Sequence, residues 1–177
     1  AVSAVVDIGD KKLIPELTRL LKEENEPEIC VRQAIVGCFQ GKLTNPDHLY
    51  DYSFIHAGIP ALIGGLKDSD LEVRVDSAYT LGKARNASAI PALREKLYDK
   101  EACMLTSTIF ALGKLGDKKS VPRLIELLED KRKYVYHDAI IALGRIKDQS
   151  AVPPLIELLN DRDSDIREHV AASLGEL

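Results

Sequence analysis

Tryptophan is absent from this chain of 177 residues, and six tyrosines and three phenylalanines are its only aromatic residues. A large aromatic pocket for a flat cofactor therefore has too little material. Cysteine is scarce too. Cys30, Cys38 and Cys103 form no Cys-x-x-Cys pair, and an odd count suits free thiols in a reducing compartment. No apolar run approaches the roughly 20 residues needed to cross a bilayer, and no charged-then-apolar secretory segment opens the chain. Charge of either sign is in small excess only: 24 basic against 28 acidic residues leave a net charge of −4, which gives no support to broad nucleic-acid binding. The expectation is a soluble, cytoplasmic, helical protein.

What the chain does have is a period. Pro60, Pro91, Pro122 and Pro153 fall 31 residues apart. Leu-Gly recurs with the same interval at Leu81-Gly82, Leu112-Gly113, Leu143-Gly144 and Leu174-Gly175, and so does Asp at 68, 99, 130 and 161. Three independent markers with one period define a tandem array.

Each unit reads as two helices, A and B. Val152, Leu155, Ile156 and Leu159 form one apolar stripe, the spacing of a helix with one buried face. Pro153 and Pro154 suit its first turn, whose N–H groups lack helical acceptors. Residues 161–165 supply a turn and an N-cap. A second helix then carries Ile166, Val170, Ala171 and Leu174, with Gly175 as a small contact residue or a C-cap. Alone, each unit exposes an apolar face, and stacking buries it.

Upstream, Ile8-Gly9-Asp10-Lys11-Lys12 matches Leu115-Gly116-Asp117-Lys118-Lys119, so Pro15 aligns with Pro122. Gln40 to Pro60 is 20 residues where Gly82 to Pro91 is 9. An 11-residue insertion thus lies within 41–58 and is expected as a loop. The count is five A and six B helices in a single repeat domain, 1–177. Ala1 falls mid-helix and Leu177 closes a helix with apolar neighbours, so the reading expects a fragment of a longer array.

The string Asp-x-x-[Val/Ile]-Arg-x-x-Ala-Ala-x-x-Leu-Gly, present at 163–175 and echoed at 70–82, resembles HEAT-like repeats, more narrowly the short type named from phycobilisome (PBS) lyases. The resemblance implies an all-α fold, a right-handed α-solenoid with A helices on the convex side and B helices lining the concave side. Arg32, Arg74 and Arg167 match the repeat's arginine, which in the family pairs with turn carboxylates. Leu105 and Tyr136 replace it, which predicts an interrupted ladder.

Helical phase then separates core from outward positions at 100° per residue. On the B helix of 71–84, Val73, Ser77, Ala78, Leu81 and Ala84 are expected inside, and Glu72, Val75, Asp76, Tyr79 and Lys83 outside. The outward columns continue as Cys103, Thr106, Ser107, Phe110 and Lys114, then Tyr134, His137, Asp138, Ile141 and Arg145, then Asp165, Glu168, His169, Ala172 and Glu176. Tyr79, Phe110, Ile141 and Ala172 are apolar where an exposed face should be polar, with Val75 and Tyr134 beside them. Lys83, Lys114 and Arg145 form a basic stripe, reversed at Glu176. This pattern fits a groove for a peptide or helix with apolar anchors and acidic flanks. The alternative is that these residues pack against adjacent B helices. The insertion adds Tyr50, Tyr52 and Phe54 as candidate contacts at one edge.

Catalytic chemistry finds little support. HEAT-like deoxyhypusine hydroxylases ligate iron through His-Glu pairs on successive B helices. The matching positions here hold Gln33-Ala34, Val75-Asp76, Thr106-Ser107, His137-Asp138 and Glu168-His169, which does not supply a di-iron set. His137, Asp138 and His169, or His48, Asp51 and His56, lack any recognised metal-ligand spacing. Cys103 faces outward without a nameable base. The basic run from Lys114 to Lys147 is diluted by acids and reads as a solvated edge. No catalytic residue, metal or cofactor is assigned. The expectation is a non-enzymatic scaffold that binds another protein through its B-helix face, with an accessory subunit of a bilin lyase as the alternative.

Overall fold

A computed structural model describes residues 14–22, 32–33, 35–37, 52–130 and 132–177, the side chains of 17, 20–22 and 52–55 excepted. Every regular element among them is helical: α1 (Ile14–Lys22), α2 (Tyr52–Gly65), α3 (Leu71–Ala84), α4 (Ile90–Lys96), α5 (Ala102–Leu115), α6 (Val121–Glu126), α7 (Lys133–Ile146), α8 (Val152–Glu157) and α9 (Ser164–Glu176). B helices α3, α5, α7 and α9 start at 71, 102, 133 and 164, and A helices α4, α6 and α8 start at 90, 121 and 152. The helices thus keep the 31-residue period of the sequence, and the fold is an α-solenoid of two-helix repeats.

Local chemistry explains the boundaries. Asp70 and Asp163 are N-caps, their carboxylates accepting from the N–H of Val73 and of Asp165, each at 3.0 Å. This satisfies donors that the first turn leaves without helical acceptors. Pro122 and Pro153 sit in the first turns of α6 and α8. B helices end on residues with positive φ: Arg85 at 51°, Gly116 at 67° and Lys147 at 59°. These also recur every 31 residues, a signal hidden in the sequence because only one of the three is glycine. A side chain in the left-handed region costs roughly 1 kcal/mol. Lys147→Gly is therefore expected to stabilise the fold by about 1 kcal/mol in urea denaturation, whereas Gly116→Lys should destabilise it.

Two compact units divide the chain, 1–92 and 93–177. In the first, α2 packs on both α1 and α3. In the second, α7 packs against α5 and α9, with α6 on α7 and α8 on α9. Val135, Ala139, Ile140, Ala142 and Leu143 of α7 are buried in this stack. Two of the Leu-Gly glycines, Gly113 and Gly144, sit at inter-helix contacts. A Cβ on Gly113 would lie 3.0 Å from the Ala142 Cβ, and one on Gly144 would lie 2.7 Å from the Ser173 Cβ. They are contact residues, and the cap comes three residues later.

Two expectations need correction. The insertion is not a loop up to residue 58: α2 begins at Tyr52 and carries Pro60 in its interior, unlike Pro122 and Pro153. Residues 52–57 contain no Pro or Gly to stop a helix extending upstream. The arginine ladder also differs. Arg32 Nε lies 2.9 Å from Asp68 Oδ2, but Arg74 donates to the carbonyls of Asp68 and Ser69, and Arg167 to those of Asp161 and Arg162. Tyr136, expected as a break, instead donates to Asp161 Oδ2 at 3.0 Å. Burial, together with Asp161, pushes its phenol up to about 12. Tyr136 thus makes the reach to the next repeat's aspartate that Arg32 makes to Asp68.

Candidate partner-binding face

The B helices of the second unit bury one side and leave the other accessible. On α5, Met104, Leu105, Thr108, Ile109, Ala111 and Leu112 are buried, while Cys103 is exposed and Thr106, Ser107, Phe110 and Lys114 are half-buried. On α7, Tyr134 is 80% exposed, Arg145 is exposed, and His137, Asp138 and Ile141 are half-buried. On α9, Asp165, Glu168, Ala172 and Glu176 are exposed, and His169 is half-buried. None of these outward columns is core.

Between α5 and α7 the surface dips into a pocket of about 190 Å³ lined by Phe110, Asp138, Ile141, Ala142 and Arg145. The volume suits one side chain. Gly113 explains its place: with no Cβ against Ala142, α5 and α7 approach closely enough for Phe110 and Ile141 to line one pocket. Of the five lining residues, Asp138 and Ala142 were missed as contacts. Ala142 shows its role only through its neighbour on α5, and Asp138 read as an ordinary polar position.

Charge surrounds the Phe110 ring. Lys114 Nζ and the Arg145 guanidinium carbon each lie 5.9 Å from its centroid, within reach of a cation–π attraction. Asp138 lines the same pocket. Burial pushes its carboxyl above the usual range, a shift that His137 and Arg145 partly oppose. His137 Nδ1 lies 3.3 Å from Asp138 Oδ1, and its ring meets that of His169 edge-on at 4.2 Å. The two histidines, on neighbouring repeats, are in contact. Among the described residues, however, no three His, Cys, Asp or Glu side chains are grouped as metal ligands.

In the first unit, Tyr79 is 37% exposed, Val75 and Lys83 are half-buried, and Lys83 Nζ lies 5.6 Å from the Tyr79 ring centroid. Tyr50 and the side chains of Tyr52 and Phe54 lie outside the described residues, as do His48 and Asp51. His56 is exposed, its Nδ1 2.9 Å from Asn86 Nδ2. Three cations of the basic run after Lys114 are engaged by carboxylates: Arg123 with Glu126, Arg132 with Asp130 and Lys133 with Asp163, at 2.6–2.8 Å. Among the described residues no helix is long and apolar enough to cross a membrane.

The family model for HEAT repeats matches residues 105–175, and that for the PBS lyase HEAT-like repeat matches 73–99. No curated protein matches the chain significantly. Among solved structures, an engineered protein is 21% identical at a TM-score of 0.76, with 99% of this chain and 82% of that one covered. The complex of CpcE and CpcF of phycocyanin lyase from Nostoc sp. PCC7120 is 23% identical at 0.63, covering 87% and 67%. A designed armadillo repeat protein in complex with the peptide (KR)4 is 16% identical at 0.68, covering 99% and 90%. At such identities the likeness shows the fold alone. The two family matches together take in more than half of the chain and place it: this is a HEAT-like repeat protein.

Proposed function

We propose that this protein is a non-enzymatic scaffold that binds another protein through its B-helix face. The observation that carries the reading is the pocket of Phe110, Ile141 and Ala142 beside the exposed Arg145. An apolar depression with a cation at its rim is a place for a partner's anchor residue. Tyr134 extends the contact surface along α7, and His137 offers a polar contact between Tyr134 and the pocket; on the first unit, taken by itself, Val75, Tyr79 and Lys83 of α3 are proposed as partner contacts. Tyr50, Tyr52 and Phe54 are proposed as further contacts. The peptide carried by the designed armadillo repeat relative supports a repeat surface used in this way.

The test is affinity capture from native lysate with mass spectrometry, comparing wild type with Phe110→Glu/Ile141→Glu. A stoichiometric partner lost from the variant is the expected result. Phe110 and Ile141 are half-buried rather than fully exposed, so Arg145→Glu on an exposed site serves as a second variant with native melting. Equal capture by all three proteins would sink the reading.

A second reading, an accessory subunit of a bilin lyase, is favoured by the PBS lyase repeat match and the phycocyanin lyase relative. It predicts that the purified chain, or its complex with a second subunit, binds or transfers a bilin, seen as a shift in visible absorbance. An unchanged bilin spectrum in both would remove it.

A further inference from the structure

The charges on the second unit are ordered across its helices. At equivalent positions of α5, α7 and α9 stand Lys114, Arg145 and Glu176. Arg94, Arg123 and Arg132 of this unit are each held by a carboxylate. Arg145, by contrast, is exposed and has no ion-pair partner among the described residues. Glu168 and Glu176 on α9 are likewise exposed and outside the described ion pairs. An anion is thus favoured at the pocket rim, and a cation one helix further on.

Spacing narrows the occupant. Packed helices lie roughly 8–10 Å apart. A polyproline II chain rises about 3.1 Å per residue and turns the same side to a surface every third residue, roughly 9 Å on. The outward positions of α5, α7 and α9 are exposed or half-buried, so a chain can run across all three helices. Resting on the partner-binding reading above, we propose that the α5–α7–α9 face takes an extended, polyproline II-like peptide segment. In it an acidic residue adjoins an apolar anchor, and a basic residue stands three positions beyond the anchor. The anchor fills the Phe110–Ile141–Ala142 pocket. The acid meets Arg145 and Lys114, and the base meets Glu168 and Glu176. Asp138 lies two turns before Arg145 on α7, roughly 10 Å away along the helix axis. It faces the peptide backbone, where it accepts an N–H.

Random dodecapeptides displayed on phage and panned on the full chain test this. The enriched sequences should place an acid beside the anchor and a base three residues beyond it. A synthetic peptide ordered Asp-Leu-Ala-Pro-Lys, within Gly-Ser flanks, should bind roughly tenfold more tightly than one ordered Lys-Leu-Ala-Pro-Asp. Arg145→Glu/Glu176→Arg, both on exposed positions, should invert that preference. Enriched peptides that require Phe110 but show no charge order would overturn the proposal while leaving the face as a binding surface. A preference unchanged in the swapped variant, or a helical binder, would do the same. No enrichment by the folded chain would overturn both the proposal and the reading beneath it.

Discussion

Gly144→Val is expected to lower the melting midpoint by roughly 6–12 °C, the equivalent of about 3 kcal/mol in a chain of this size. A Cβ at 144 would stand 2.7 Å from the Ser173 Cβ and 2.8 Å from the Ser173 Cα. The second of these is backbone, so no rotamer change relieves the clash. Helices α7 and α9 would have to separate, uncovering Ile140 and Leu143, both fully buried. Gly113→Val should act in the same direction at α5 and α7, where the Ala142 Cα lies 3.1 Å from the added atom. Gly175 occupies the same motif position but has nothing within 4 Å of an added Cβ. Gly175→Ala should therefore be neutral or stabilising by a few tenths of a kcal/mol, since alanine is the better helix former. Thermal melts of the three variants test this directly. A Gly144→Val protein that melts with wild type would show that α7 and α9 do not meet at this glycine.

Asp117→Asn should cost about 2 kcal/mol at neutral pH, measured by urea denaturation. Asp117 is a buried carboxylate gripped on both oxygens by Arg94, with Nε–Oδ2 at 2.6 Å and a terminal guanidinium nitrogen at 2.5 Å from Oδ1, and Ser120 also donates to Oδ2. Burial alone would raise its pKa. The hydrogen bonds from Arg94 and Ser120 and the charge of Arg94 outweigh that effect and hold the carboxyl below its usual range. Asparagine keeps the shape but loses the charge opposite Arg94. The cost falls short of a fully buried pair because the Arg94 side chain is 34% exposed.

The pH dependence has a definite sign. A carboxyl depressed in the folded state contributes its full stability above its unfolded pKa of about 3.9 and loses it as pH falls toward the folded value. The difference between wild type and Asp117→Asn should thus be constant from about pH 5 upward and shrink below about pH 4. A difference that instead grew on acidification would contradict the ion pair. Asp138 has the opposite sign. Its carboxyl is raised by burial, so it opposes folding when ionised and ceases to do so as pH falls through its folded value.

Much of this architecture was legible in the sequence because the signals are local and repeated. Val73, Ser77, Ala78, Leu81 and Ala84 were expected inside α3 and all are buried. Phase within one helix decides which side faces the stack, and α5 and α7 restate it; on α9 Ile166 and Val170 are buried, while Ala171, expected inside, is exposed. The insertion was less readable. Its offset from the period was plain, but Asp51 before Tyr52 is one of several polar residues in 41–53 that could precede a helix, so the start of α2 did not stand out. The ends of the B helices were hidden for a related reason: Arg85 and Lys147 adopt a backbone conformation that their residue types do not announce.

The sequence by itself determined the repeat period, the two-helix unit and the buried face of each B helix, since these follow from residue spacing along one chain segment. Tertiary structure alone decided which residues from different repeats meet. Tyr136 reaches Asp161, His137 meets His169, and Arg94 grips Asp117. The pocket arises because Gly113 lets Ala142 approach α5. Such contacts depend on how closely two backbones pack, and that distance is set by side chains at facing positions on both helices. A pattern read along one strand of sequence carries the phase of each helix but not the separation between them.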